Sequence, residues 1–355
     1  MSAVVVFIIF AICLVIAIPI SISLGIVAVL PGAFDASFTA SAGYVIRSMV
    51  GGIDSFPLLA VPMFVLAGIL MAHGKISEKL FDVFVYFLGN KRAGIPCAVI
   101  ITCLFYGAIS GSAPATVAAV GSMTIPLLIE LGYEKDFSTA IVAVAGGLGV
   151  IIPPSIPFIM YAMATGESVS DLFLAGIVPG MMISALLIFY AYYYCRRHGE
   201  DREKIQAKMD QLKTKGFVNI LKESIWALLS PVIVLGCIYS GVASPTEAAV
   251  ISVFYSLFVS LFIYKSIKVK QIWGIMVEAM KTYAPILFIL ATSTAFSRVL
   301  TLMQVPQDVS AWIMTHFSNE IVLLLVINVV LLIVGMVMDT TPAILILTPI
   351  LLPIV

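Results

Sequence analysis

Of the 355 residues, 61% are hydrophobic and 11% charged, against about 25% charged in a soluble domain, so the chain reads as an all-α polytopic membrane protein. Nineteen Lys and Arg offset nineteen Asp and Glu, which excludes a basic nucleic-acid footprint. No strand-like apolar alternation runs through it, which excludes a transmembrane barrel, and the five cysteines sit among apolar runs as small hydrophobes.

Residues 3–31 are almost wholly apolar, with Pro19 between two possible pieces. They lack a basic leader and are too long for a signal-peptide core, so no cleaved signal is expected. Residues 32–54 hold Asp35, Arg47 and Asp54 among small residues and read as a loop. Residues 55–72 form an apolar helix. In 75–90, Ile76, Leu80, Val83, Phe84 and Phe87 share one helical face, which suggests a helix lying on the membrane surface.

The next stretch, GAISGSAPATVAAVGSMTIP from Gly107 to Pro126, interrupts apolar sequence with small residues and hydroxyls. Pro114 donates no backbone hydrogen bond and drives Ala113 out of helical angles. Residues 94–109 and 115–129 are therefore two arms of a hairpin. Each has about 15 residues against the roughly 20 that span a bilayer, which favours a re-entrant hairpin. Broken backbone at membrane depth survives only inside protein or beside a watery cavity. There its free carbonyls and helix ends coordinate cations.

Residues 137–163 are split by GGLGVIIPPSIP (Gly146 to Pro157), a second break. Residues 172–195 end in YAYYYC, an interfacial aromatic belt. The segment 196–223 carries Arg196, Arg197, Arg202, Lys204, Lys208, Lys213, Lys215 and Lys222, so the positive-inside rule places it in the cytoplasm. Helices are expected at 225–240, 246–264 and 282–300, an amphipathic connection at 304–319, and apolar helices at 321–338 and 343–355 flanking GMVMDTTPA.

The halves echo each other at an offset of 228 residues: Gly107 with Gly335, Pro114 with Pro342, Pro57 with Pro285. Helix parity from the basic segment gives the two matching units opposite orientations, an inverted-topology repeat. The first repeat is expected at 1–195 (hairpin about 94–129, broken helix about 137–163), a cytoplasmic connector at 196–223, and the second repeat at 224–355. The partner of Pro153 would fall at 381, beyond this chain. The second repeat is thus expected to be truncated within its hairpin.

Ser110, Ser112 and Thr116 cluster around Gly111 and Pro114, and hard cations prefer such hydroxyl and carbonyl oxygens. The alternative is packing hydroxyls bonded to their own backbone. Pro153, Pro154 and Ser155 mark either a second wall of that site or a simple kink. Asp339, beside Thr340 and Thr341, is an intramembrane acid and so functional by default, or else a helix N-cap. Arg298 either snorkels to the interface or meets a substrate carboxylate or Asp339. Glu247, after Pro245, either complements a helix N-terminus or has a functional role.

GAISGSAPATVAAVG, GGLGVIIPPSIPFIMYA, GVASPTEAA and GMVMDTTPAILILTPILLPI together resemble the large membrane subunit of tripartite ATP-independent periplasmic (TRAP) transporters. The resemblance runs the length of the chain. It implies a sodium-coupled importer of organic acids, of the C4-dicarboxylate or sialic acid class, in the bacterial inner membrane. It also implies an elevator mechanism, two or more coupling sodium ions, a small four-helix membrane partner and a periplasmic binding protein. Carried residue by residue, it implies one sodium site at Ser110, Gly111, Ser112, Pro114, Gly147, Pro154 and Ser155. The other falls at Gly335, Asp339, Thr340 and Thr341. The expected substrate contacts are Ser112, Thr116, Ser155, Arg298 and Thr341. The rival readings are an ion channel and an intramembrane serine hydrolase, which would need a base within reach of Ser110. His73, His198 and His316 lie in loops or at helix ends. No P-loop is present.

Overall fold

The computed structural model describes residues 2–35, 38–214, 216–316 and 319–352. Lys215 of the basic segment and residues 353–355 of the expected last helix lie outside the described residues. The described regular structure is helical throughout. In chain order it comprises α1 (Ala3–Val15), α2 (Ile20–Phe34), α3 (Ala42–Ile53), α4 (Ala60–His73), α5 (Ile76–Leu88), α6 (Gly94–Ser110), α7 (Ala113–Glu130), α8 (Lys135–Gly146) and α9 (Ile156–Thr165). It continues through α10 (Val169–His198), α11 (Arg202–Thr214), α12 (Phe217–Tyr239), α13 (Pro245–Phe258), α14 (Val269–Leu302), α15 (Val305–His316), α16 (Glu320–Val337) and α17 (Thr340–Leu351). Among the described residues five helices are long and apolar enough to cross a membrane, or six if Ala42–Ile53 and Pro57–His73 count as one span.

Proline and glycine set most of the breaks. Residues 3–31 are two helices, parted where Ala17 takes a left-handed φ of 63° and Pro19 caps α2. The expected loop at 32–54 is corrected to a helix over its second half. Ser41 caps α3 by accepting the Tyr44 N–H at 3.3 Å, and Val45 and Ser48, one turn apart, are buried. Arg47 and the glycine pair had masked that periodicity. The basic segment is also helical in part: Ile205, Met209 and Leu212 put one face of α11 into the core. The Ile76, Leu80 and Val83 face of α5 packs on α6 and α12 rather than standing free, although Phe87 is exposed.

The chain divides into two compact units, one of Met1–Leu58, Ile159–Glu167 and Thr282–Val355, the other of Leu59–Phe158 and Ser168–Lys281. In the second, α6 is the central element, packed by α4, α5, α7, α8, α10 and α12. Its Ile95, Val99, Ile100, Cys103, Tyr106 and Ile109 are all buried. The buried Tyr106 hydroxyl donates to the Gly68 carbonyl at 3.1 Å. In the first unit, Phe10 stacks on Phe296 at 6.1 Å within a core shared with Leu24, Val27, Val45 and Ile346.

Most hydroxyls inside apolar helices bond back to their own helix. Thr102 donates to Ala98 O at 2.7 Å, Thr124 to Val120 O at 2.8 Å, Ser184 to Gly180 O at 2.7 Å and Thr292 to Phe288 O at 3.0 Å. Such bonds satisfy the hydroxyl without any neighbouring element.

At α13 the Ser244 Oγ accepts the Glu247 N–H at 3.3 Å while Glu247 accepts the Ser244 N–H at 2.8 Å, a reciprocal capping box. Glu247 is thus placed by the helix start. Ser244→Ala is expected to cost about 1 kcal/mol, typical of a lost N-cap, read as a lower unfolding midpoint in detergent.

Candidate functional site

α6 and α7 pack against each other and are joined by two residues. They hold 17 and 18 residues, slightly more than expected. Gly111 takes the left-handed φ of 61° and Ser112 is extended. That reversal places three oxygens together. The Thr116 hydroxyl donates to Ser112 O at 2.8 Å, and Ser110 Oγ lies 2.9 Å from Thr116 Oγ1 and 3.3 Å from Ser112 O. Ser110 and Thr116 are fully enclosed, while Ser112 is half-buried. Each hydroxyl has one proton to donate and two lone pairs. These bonds spend the protons and leave lone pairs for a ligand.

The second break closes on the first. Ile156 N–H donates to Gly111 O at 3.2 Å. A Cβ on Gly111 would lie 3.0 Å from Pro154 O, so that carbonyl sits directly over the turn. Ser155 is buried; its hydroxyl donates to Val150 O at 2.6 Å and accepts the Phe158 N–H at 3.4 Å, capping α9. Two glycines permit the approach. A Cβ on Gly149 would fall 2.4 Å from Thr116 Oγ1, and one on Gly107 would fall 2.5 Å from Gly149 Cα.

The structure therefore brings together Ser110, Gly111, Ser112, Thr116, Pro154 and Ser155. Pro114 is exposed in the first turn of α7, and a side chain at Gly147 would meet nothing within 4 Å. Gly107 and Gly149 were not among the expected site residues. Their signal lay in spacing: Gly146 and Gly149 are three apart, and a Cβ on Gly146 would lie 2.1 Å from Val117 Cγ2, so both face α7.

In the other unit, Asp339 occupies the N-cap position of α17 without a side-chain capping bond. Asp339 and Thr340 are exposed and Thr341 is buried. Gly335 is exposed with open space around it. Arg298 is exposed and lines a cavity of about 340 Å³ with Gly51, Ser55, Thr294, Ser297 and Leu345. Among the described residues no ion pair joins Arg298 to Asp339.

A family model described as "Tripartite ATP-independent periplasmic transporter, DctM component" matches residues 7–355. The chain is 42% identical over 346 residues to the isethionate TRAP transporter permease protein DctMQ of Oleidesulfovibrio alaskensis, covering 98% of this chain and 53% of that protein. It is 39% identical over 301 residues to the C4-dicarboxylate TRAP transporter large permease protein DctM of Pseudomonas aeruginosa, covering 85% and 69%. It is 37% identical over 309 residues to the 2,3-diketo-L-gulonate TRAP transporter large permease protein YiaN of Escherichia coli, covering 87% and 71%. The chain thus spans about half the length of the first relative and about seven-tenths of the other two. These relatives are permeases, which sets the hydrolase reading aside; Ser110 Oγ in turn contacts Ser112 O and Thr116 Oγ1 rather than a base. The helical chain with its apolar spans belongs to the DctM component family of the tripartite ATP-independent periplasmic transporters.

Proposed function

We propose that this chain is the large membrane component of a sodium-coupled importer of small organic acid anions. On this reading it works by an elevator movement in the bacterial inner membrane, with 196–223 on the cytoplasmic side. Its partners are a small four-helix membrane subunit and a periplasmic binding protein that delivers the substrate. The substrate class follows the relatives' printed names (C4-dicarboxylate, 2,3-diketo-L-gulonate and isethionate), each an acid anion. The sialic acid class remains within that chemistry.

One observation carries the reading. Ser110 Oγ, Thr116 Oγ1 and Ser112 O converge at a helix break, with the Pro154 carbonyl close above. Neutral hydroxyl and carbonyl oxygens suit a hard monovalent cation better than a transition metal. An ion there would tie the α6–α7 turn, as the tip of a re-entrant hairpin, to the broken segment at Gly149–Ser155. By linkage, substrate and sodium then tighten each other's binding. Asp339, Thr340, Thr341 and Gly335 supply the second ion site. Within their own unit Arg298, with its cavity, and Thr341 are candidates to meet the acid group; in the other unit Ser112, Thr116 and Ser155 are the candidate contacts.

The test is uptake by the complete complex in proteoliposomes, with the binding protein, candidate acids and an imposed sodium gradient. Uptake is expected to require both substrate and sodium. Ser110→Ala and Thr116→Val are each expected to raise the sodium concentration for half-maximal uptake roughly 5-fold or more, since coupling energies run at about 1–3 kcal/mol. Equal uptake in potassium, or an unchanged sodium dependence in both variants, would refute the ion site.

A further inference from the structure

Between the start of α6 and the end of α10 runs a groove of about 500 Å³ that the transport reading does not use. Much of its lining is apolar, with Leu88, Ile101, Ile188 and the exposed Phe189. Lys91 and Arg92, in the turn before α6, and Tyr192, near the end of α10, line it as well. From Tyr192 to Ala185 the groove follows α10 for seven residues, about 10 Å at helical rise. Arg196 lies one turn beyond Tyr192 on the same helical face.

Lys91 and Arg92 are both exposed, and among the described residues neither has an ion-pair partner. Glu200 reaches this turn but is already spent. Its carboxylate accepts the Ala93 N–H at 3.0 Å, the Tyr133 hydroxyl at 2.7 Å and the Arg202 guanidinium at 3.1 Å. The groove therefore carries two exposed cations, without an ion pair among the described residues, beside an apolar lining. An amphipathic tyrosine marks the level where hydrocarbon gives way to headgroups.

We propose that this groove is a binding site for an anionic phospholipid. One acyl chain would lie along Ile101, Ile188 and Phe189, with the phosphate between Lys91 and Arg92. Basic pockets between helices at the cytoplasmic leaflet hold acidic headgroups in this way, each cation contributing through the surface charge it meets. The site is independent of the sodium cluster, and its test does not measure transport.

The probe is phosphatidylglycerol titrated onto the purified complete complex and counted by native mass spectrometry, beside phosphatidylcholine of the same chain length. The wild type is expected to prefer phosphatidylglycerol. Lys91→Gln with Arg92→Gln is expected to weaken it roughly 10- to 30-fold, to the level of phosphatidylcholine. Ala185→Phe, which crowds the α10 side of the groove, is expected to weaken both lipids while leaving the protein's elution volume unchanged. Phosphatidylglycerol binding unaltered in both variants would overturn the proposal. So would its displacement by millimolar inorganic phosphate, which would make this a free-anion site. So would binding to the large component purified alone but not to the complete complex, which would make the groove a protein interface.

Discussion

Replacing Gly107 by alanine is expected to lower uptake sharply, whereas replacing Gly147 leaves it near normal. Both glycines flank the same two breaks, yet their surroundings differ. The Cβ of Ala at 107 would lie 2.5 Å from Gly149 Cα and 2.9 Å from Gly149 N. Main-chain atoms cannot rotate away as a side chain can, so the broken segment must move off α6. Gly149→Ala strikes the cluster from the other side, 2.4 Å from Thr116 Oγ1 and 2.9 Å from Ser112 O. Overpacking of this kind costs about 1–3 kcal/mol, and each 1.36 kcal/mol is tenfold in a rate or constant. Uptake in Gly107→Ala and Gly149→Ala should fall roughly 5- to 160-fold on that scale. At Gly147 no atom lies within 4 Å of the added carbon, so that variant controls for the general cost of changing a glycine there. Substrate uptake by the complete complex, with expression and unfolding midpoint measured in parallel, checks the series. Normal uptake by Gly107→Ala would mean that the close approach of the two breaks is dispensable.

The largest loss of stability is expected from Glu200→Ala. This side chain is 2% exposed and ties three turns together. One oxygen accepts from Ala93 N–H and the Tyr133 hydroxyl; the other pairs with Arg202, which also donates to Asn90 O at 3.2 Å. The Arg202 side chain is nearly half exposed, so its share of the pairing is discounted for solvent screening. The two orphaned donors decide the outcome, at about 1–3 kcal/mol each when buried without a partner. Destabilisation of about 3 kcal/mol follows. Glu200→Gln keeps an acceptor oxygen and should lose less. Burial, and then the bond to Glu200, raises the Tyr133 hydroxyl above the usual tyrosine range. The neutral phenol is thus the favoured form. Its contribution is whole below the ordinary tyrosine value near 10, and is lost as pH climbs beyond it. A denaturation series across pH and genotype reads both effects. A melt of Glu200→Ala indistinguishable from wild type would show that the three turns hold without it.

Much of the architecture was legible because prolines and glycines interrupt apolar sequence where the helices end. Pro19, Gly111 with Pro114, and the Gly146–Pro157 stretch each mark a break that the structure contains. Ser110 and Thr116 were legible as a cluster because six residues of separation across a turn return the chain to the same place. What escaped was tertiary. Whether a glycine is needed depends on what faces it, and only the fold separates Gly149 from Gly147. Glu200 sat in a segment read for its net basic charge, and charge counting says nothing about which acid is buried. α3 escaped because Arg47 and two glycines broke an apolar pattern that its Ser41 cap and the burial of Val45 and Ser48 restore.

The hydroxyls that fold back onto their own helices bear on how this chain is made. A nascent segment entering the bilayer has no neighbours and only itself to bond with. Thr102, Thr124, Ser184 and Thr292 already hold their partners at that moment, since each donates to a carbonyl three or four residues earlier. They hide polarity from lipid before any tertiary contact exists. Ser110 is different: its oxygen contacts lie across the break, at Ser112 and Thr116. Before α6 and α7 have turned on one another, that hydroxyl must find another partner, such as a carbonyl of its own helix. The bonds seen at this corner therefore form only once α6 and α7 are both in place, later than those of the four hydroxyls that need no second helix.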